Sequence, residues 1–326
     1  MLGAIIGDIV GSRWEFNPTN DYNFELFSDE NDFTDDTICT VAVADALLKG
    51  RDFGQSIHDW CRRYPHPMGG YGCSFAGWVQ SDNPQPYGSF GNGAAMRVSP
   101  VAHWYEEVGQ VLDAAAATAL PSHNHEEAVK GAQTVALAIF KALEYKRYQE
   151  AAMHIDEILA ECVQFSGYDI NMPKSSVQNK FDETCQGTVP VALKIISMAT
   201  CFEDAVRLAV SLGADADTLG AITGSIAEAI WGIPSKLRRA VEKYLPDDML
   251  SVLHEFHQAR PRSFKPLIDT CFSGDDFSDI SWEILFDLDG KEGHDKIKSR
   301  TMSEHEQKRM LMAARAKARE VWKIEK

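Results

Sequence analysis

Two acidic runs stand out for their chemistry: Thr34-Asp35-Asp36-Thr37, and Asp215-Ala216-Asp217-Thr218 far downstream. Each opens a stretch with helical apolar spacing. Thr and Asp are preferred at helix starts, where they cap free N–H groups and favour the macrodipole. One such side chain is enough for a cap. Adjacent carboxylates beside hydroxyls exceed that need, and suit a hard divalent cation, which takes anionic and neutral oxygens. Capping alone remains the alternative at this stage. The two runs can share a cation only if the fold joins their helix starts. Asp215-x-Asp217 also opens like an EF-hand loop, but Leu219 and Ile226 fall where oxygen ligands are required.

Other residues add to this set. Glu15 closes the first apolar stretch and, taken alone, reads as a surface carboxylate. The run Gly88-Ser89-Phe90-Gly91-Asn92-Gly93 leads into a helix and can cradle an anion on its backbone N–H groups. It lacks the Gly-Lys-Ser/Thr of a Walker loop, and no strand precedes it as in a dinucleotide fingerprint. His123 and His125 are two apart, which argues against a zinc pair on one helix face. His123, at a helix start, can still reach a ligand.

The elements that must position these groups are helical. Residues 1–16 carry Gly3, Ala4, Gly7, Gly11 and Ser12 at helical spacing. Glycine costs a helix roughly 1 kcal/mol against alanine, so several imply close packing against another backbone. A helix from 38 to 48 ends at Gly50, and a helix from 56 runs into Tyr64-Pro65-His66-Pro67. Further helices are predicted at 98–105, 107–120, 126–143, 148–162, 189–200 and 202–212. The stretch after Asp215 mixes Gly220, Ala221, Gly224 and Ser225 with Leu219, Ile222, Ile226 and Ile230. Being apolar nearly all round, it is predicted to be central and buried. No sustained strand alternation occurs in the first 260 residues. The core is therefore all-α. Beyond it, 277–289 could hold a short strand or a helix and 290–300 is a charged linker. Residues 302–326 read as a basic amphipathic helix that packs on the core or on a partner.

The chain has 326 residues and a net charge of −16, which disfavours phosphate-neutralising nucleic-acid binding and docking on an anionic membrane. No stretch reads as a signal peptide or membrane span. Seven cysteines without CxxC spacing read as reduced thiols of a cytoplasmic protein.

Taken together and in order, five motifs resemble the ADP-ribosylglycohydrolase family over about residues 1–255. They are Gly7-Asp8-Ile9-Val10-Gly11 with Glu15-Phe16; Thr34-Asp35-Asp36-Thr37; Gly88 to Arg97; His123; and Asp215-x-Asp217-Thr218. The resemblance implies an orthogonal all-α bundle over 1–260, with 261–326 as an extension. It also implies a centre of two magnesium ions, with manganese an alternative. Thr34, Asp35 and Asp36 would bind from one side, and Asp215, Asp217 and Thr218 from the other. Gly88, Ser89 and Phe90 would hold a diphosphate, with Asn92 and His123 nearby. Many relatives carry Tyr where Phe90 stands, so a hydroxyl contact is expected to be missing. Glu15, Asp36 and Asp217 are the expected catalytic groups. The implied reaction is hydrolysis of the C1″ bond between ADP-ribose and a protein side chain, arginine first. ADP-ribose is the product and a monomer the expected state. The rival reading is a non-catalytic or dual-role immunity protein that captures ADP-ribose or an ADP-ribosylating toxin. The intact carboxylates favour the hydrolase.

Overall fold

The computed structural model describes residues 1–145, 148–260 and 304–324. Among them the regular structure is helical, and one isolated bridge joins Gly91 to Thr184. The helices in order are α1 (Leu2–Ser12), α2 (Asp35–Lys49), α3 (Phe53–Arg63), α4 (Cys73–Gln80), α5 (Gly93–Met96), α6 (Ser99–Trp104), α7 (Val108–Ala119) and α8 (Glu126–Glu144). There follow α9 (Tyr148–Met153), α10 (Ile155–Ser166), α11 (Cys185–Met198), α12 (Phe202–Val210), α13 (Ala216–Trp231), α14 (Ser235–Val241), α15 (Asp247–Ala259) and α16 (Glu304–Ile324). None of the described helices is long and apolar enough to cross a membrane.

The centre of the molecule is the pair α1 and α13. Both are buried along almost their whole length, as their apolar composition predicts. Their backbones touch. A Cβ on Gly3 would meet the Gly224 carbonyl, one on Gly7 the Gly220 carbonyl, and one on Gly11 the Ala216 carbonyl. The numbers rise along one helix as they fall along the other, so the pair is antiparallel. The end of α1 is thereby laid on the head of α13.

A second tie brings in α2. Asp8, fully buried in α1, accepts from the Thr34 N–H (3.1 Å), Thr34 Oγ1 (2.8 Å), Thr37 N–H (3.0 Å) and Thr37 Oγ1 (2.5 Å). It caps α2 from another helix, while Thr34 also accepts from the Asp36 N–H (3.2 Å). Gly50, in the left-handed region at φ 60°, ends α2.

Two helices depart from the sequence expectation. The predicted span 148–162 is broken at His154, whose backbone leaves the helical region and whose Nδ1 pairs with Glu157 Oε2 at 2.7 Å. Helix α11 starts at Cys185 rather than 189. Thr184 caps it by accepting from the Gly187 N–H (3.0 Å), which leaves Pro190 inside the helix. Helix α16 does pack on the core. Trp322 Nε1 donates to the Met172 carbonyl (3.2 Å), Arg315 to the Ala152 carbonyl (2.9 Å) and Arg319 to Asp204 (2.9 Å). The expectations for 277–289 and 290–300 lie outside the described residues.

Candidate metal centre

The two ties converge on one place. Glu15, just beyond α1, and Asp215 and Asp217, at the head of α13, each offer a carboxylate oxygen within 4.8 Å of the others. Thr218 Oγ1 donates to Asp36 Oδ1 at 3.2 Å, so the head of α2 meets the head of α13. Thr34, Asp36, Asp215, Asp217 and Thr218 are buried, and Asp35 and Glu15 partly so. The two acidic runs, far apart in the chain, are thus neighbours. Glu15 is backed by Gly69, at φ 75°, where a Cβ would fall 2.3 Å from Glu15 Oε2.

This is an unfavourable collection of groups unless something positive joins it. Asp36 Oδ2 and Asp217 Oδ1 are buried with no hydrogen-bond partner, a costly arrangement for a carboxylate. Burial, then Asp217 and three other carboxylates, pushes Glu15 up to about 9. Burial with Asp217 and Asp8 pushes Asp35 up to about 8, and burial with Asp217 pushes Asp8 up to about 7. Burial raises Asp217, and raises Asp36 and Asp215 well above the ordinary carboxylate range, each with Asp217 as the next cause. Crowded carboxylates flanked by threonine hydroxyls, with two oxygens unpartnered, fit a hard divalent cation. A bound cation would reverse these shifts.

The glycine loop adjoins this cluster through Asn92. Its Nδ2 donates to Asp215 Oδ2 (2.6 Å) and Thr188 Oγ1 (3.1 Å), while its N–H donates to the Glu183 carbonyl (2.7 Å). Gly88, at φ 73°, donates its N–H to Asn124 Oδ1 (2.6 Å), and Gly91 donates to Ser89 Oγ (3.1 Å). These N–H groups are committed, so an anion on the loop must be met by other donors. Phe90 is half exposed, with its ring 5.4 Å from that of His125.

One such donor is His123. Arg97 Nη2 donates to Ser122 Oγ at 3.0 Å, and Ser122 Oγ lies 2.7 Å from His123 Nδ1, all three residues being buried. Arginine only donates, so Ser122 accepts from it and turns its single proton to Nδ1. Burial, then Arg97, holds His123 well below the usual imidazole range, so the ring is neutral. A neutral ring that accepts at Nδ1 carries its proton on Nε2. That atom lies 3.0 Å from where a Cβ on Gly93 would stand, and 3.4 Å from one on Gly91. The imidazole therefore presents an N–H to the glycine loop.

Sequence reasoning assigned no role to Asp8, Arg97 or Ser122. Asp8 had a signal, a single carboxylate inside an apolar helix. Arg97 closes the glycine motif and Ser122 precedes His123 in a Ser-His pair, but nothing in the sequence joins the arginine to the serine.

Comparisons with known proteins place the chain in a family. The family model described as ADP-ribosylglycohydrolase matches residues 1–265. ADP-ribosylarginine hydrolase Tri1 of Pseudomonas putida is 26% identical, over 74% of this chain and 72% of its own. ADP-ribosylhydrolase ARH3 of Homo sapiens is 25% identical, over 79% of this chain and 92% of its own. A solved structure titled "ADP-ribosylglycohydrolase-related protein complex" shares the fold with a TM-score of 0.60 at 24% identity, covering 79% of this chain and 95% of that one. On its sequence match and its all-α architecture, the chain belongs to the ADP-ribosylglycohydrolase family.

Proposed function

We propose that this protein is a metal-dependent hydrolase that removes ADP-ribose from a modified protein side chain, arginine-linked first, by cleaving the C1″ glycosidic bond. The observation that carries the reading is the meeting of Asp36 and Thr218 beside Glu15, Asp215 and Asp217, with two buried oxygens unpartnered. The names of the relatives support the substrate class: one is an ADP-ribosylarginine hydrolase, others ADP-ribosylhydrolases.

Thr34, Asp35 and Asp36 would hold two magnesium or manganese ions from one side, and Asp215, Asp217 and Thr218 from the other. Such ions, when bound, supply positive charge that orients ribose hydroxyls and makes a water more acidic. The chain's own groups do the rest. Asn92, tied to Asp215, and the loop Gly88-Ser89-Phe90 set the distance between the diphosphate and the reacting ribose. His123 donates its Nε2–H to the diphosphate. Asp36 or Asp217 orients the attacking water and takes up its proton. Glu15, beside Asp215 and Asp217, passes a proton to the departing nitrogen. In the balanced step the water oxygen bonds to C1″, the C1″–N bond breaks, and the leaving guanidine gains a proton. The transition state is oxocarbenium-like, so acceleration comes from orientation and charge. We assign catalysis to residues 1–260 and treat 261–326 as an extension.

The test is a panel of defined ADP-ribosylated peptides, arginine-linked and serine-linked, assayed for released ADP-ribose with magnesium and with manganese. The reading expects turnover that EDTA abolishes and metal restores. Release that persists in excess chelator would overturn the metal assignment. Tight ADP-ribose binding with no turnover on any linkage would favour the immunity-type binder.

A further inference from the structure

Two large apolar side chains stand in solvent beside the acidic cluster. Phe16, next to Glu15, is 70% exposed, and Phe181 is 47% exposed. Their rings are 5.9 Å apart at 31° although they come from opposite halves of the chain. The backbone between them and the site is tied down. The Asn179 N–H donates to the Leu212 carbonyl (3.1 Å), and Asn20 Nδ2 donates to the Ser211 carbonyl (3.1 Å), so both segments are fixed to the run that leads into Asp215. Single exposed apolar residues are ordinary. A pair brought together at the rim of a charged site, yet left with about half or more of each ring in solvent, is not explained by stability.

The pair lies on the reacting side. The glycine loop has exposed rings of its own, Tyr87 and Phe90, which stand against His123 and His125. Phe16 instead follows directly from Glu15, the carboxyl within reach of Asp215 and Asp217. Charge narrows the occupant. Phe181 is followed by exposed Asp182 and Glu183 and preceded by exposed Lys180, so the segment is acidic by one. Asp182 is spent on capping Thr184, but Glu183 is close enough to Glu15 for their charges to interact. A flat, weakly hydrated cation gains most from aromatic faces beside carboxylates. A serine side chain has no flat group to stack.

We propose that Phe16 and Phe181 form the platform that receives the leaving guanidinium of an ADP-ribosylated arginine, and so set the linkage the enzyme prefers. This rests on the hydrolase reading above. Cation–π contacts at exposed sites support an effect of about tenfold for loss of the pair.

The experiment compares wild type, Phe16→Ala, Phe181→Ala and Phe16→Trp on arginine-linked and serine-linked ADP-ribosyl peptides, with ADP-ribose affinity measured by calorimetry. The alanine variants should raise KM for the arginine-linked peptide several-fold, and about tenfold when combined. The serine-linked reaction and the ADP-ribose Kd should stay unchanged, and Phe16→Trp should keep or improve the arginine preference. Phe16 is too exposed for its truncation to unfold the protein, and a thermal melt checks this. An equal loss of ADP-ribose affinity would overturn the proposal, because the rings would then hold the nucleotide. Unchanged kinetics on the arginine-linked peptide would overturn it too. Wild type that neither turns over peptide nor binds ADP-ribose would instead sink the hydrolase reading.

Discussion

Replacing Gly7 by alanine tests the joint on which the site is built. Two effects of opposite sign compete. In a helix interior, alanine is better than glycine by about 1 kcal/mol. Here, however, the new Cβ would lie 1.9 Å from the Gly220 oxygen and 2.3 Å from its carbonyl carbon, where 3.4–4 Å is ordinary contact. Both obstacles are backbone, so no rotamer change relieves them, and α1 and α13 must separate by about 1 Å or more. Overpacking of this kind costs about 1–3 kcal/mol and sometimes more. The steric effect wins, and we expect a net loss of about 2 kcal/mol, or about 4 °C in melting temperature. The end of α1 carries Glu15, and a shift of about 1 Å at a reacting group can cost about 10²-fold in rate. Gly77 is the control. It sits exposed in α4, a Cβ there meets nothing within 4 Å, and alanine should be neutral or stabilising. The ends of the joint should separate stability from function. Gly11→Ala would place its Cβ 2.6 Å from Asp217 Cα, whereas Gly3→Ala strikes Gly224 and Glu228 at the far end. Both should lower the melting temperature, but Gly11→Ala should lose more magnesium-dependent thermal shift. The assays are thermal melts with and without magnesium, and ADP-ribose release. If Gly7→Ala melts higher, as Gly77→Ala is expected to, the close approach is wrong.

Stripped of metal, the protein should lose stability as pH rises from about 5 to 8. The raised carboxylates bind protons in the folded state that the unfolded chain has released above about pH 4, so each contributes a fall of about 1.4 kcal/mol per pH unit up to its folded value, about 7 for Asp8 and about 8 for Asp35. Saturating magnesium should flatten that slope, and a metal-free melt that rises with pH would contradict it. Asp217→Asn removes the charge that most strongly raises its neighbours. It should raise the metal-free melting temperature, abolish the magnesium-dependent shift and lower turnover by about 10³-fold, a loss of about 4 kcal/mol. Near-normal turnover would remove Asp217 from the site. Ser122→Ala takes away the group that fixes the His123 tautomer. We expect its ADP-ribose Kd to rise about fivefold to tenfold, with a change in the imidazole nitrogen shifts by NMR. Unchanged shifts would show that the Arg97–Ser122 chain does not set the ring.

What the sequence exposed, and what it hid, follows from the range of each interaction. Paired aspartates beside threonines at a helix head exceed what capping needs, so Asp35, Asp36, Asp215 and Asp217 were readable locally. The small residues of α1 and α13 were readable too, because glycine in a helix demands a compensating contact. Their register was not, since the pairing of Gly7 with Gly220 belongs to the fold. Asp8 shows the same limit. Its partners Thr34 and Thr37 lie beyond a loop, so only the folded chain shows a cap donated by another helix. The start of α11 at Cys185, four residues before the predicted 189, was hidden for the same reason. It depends on the Thr184 cap and on burial against Gly131, where a Cβ would meet Cys185 Sγ at 2.6 Å. The proton on His123 was the least accessible of all. It depends on a buried arginine whose link to Ser122 exists only after α5 and the loop after α7 have packed. The donor types of a site are thus written locally, whereas their protonation and aim are set by contacts made across the whole chain.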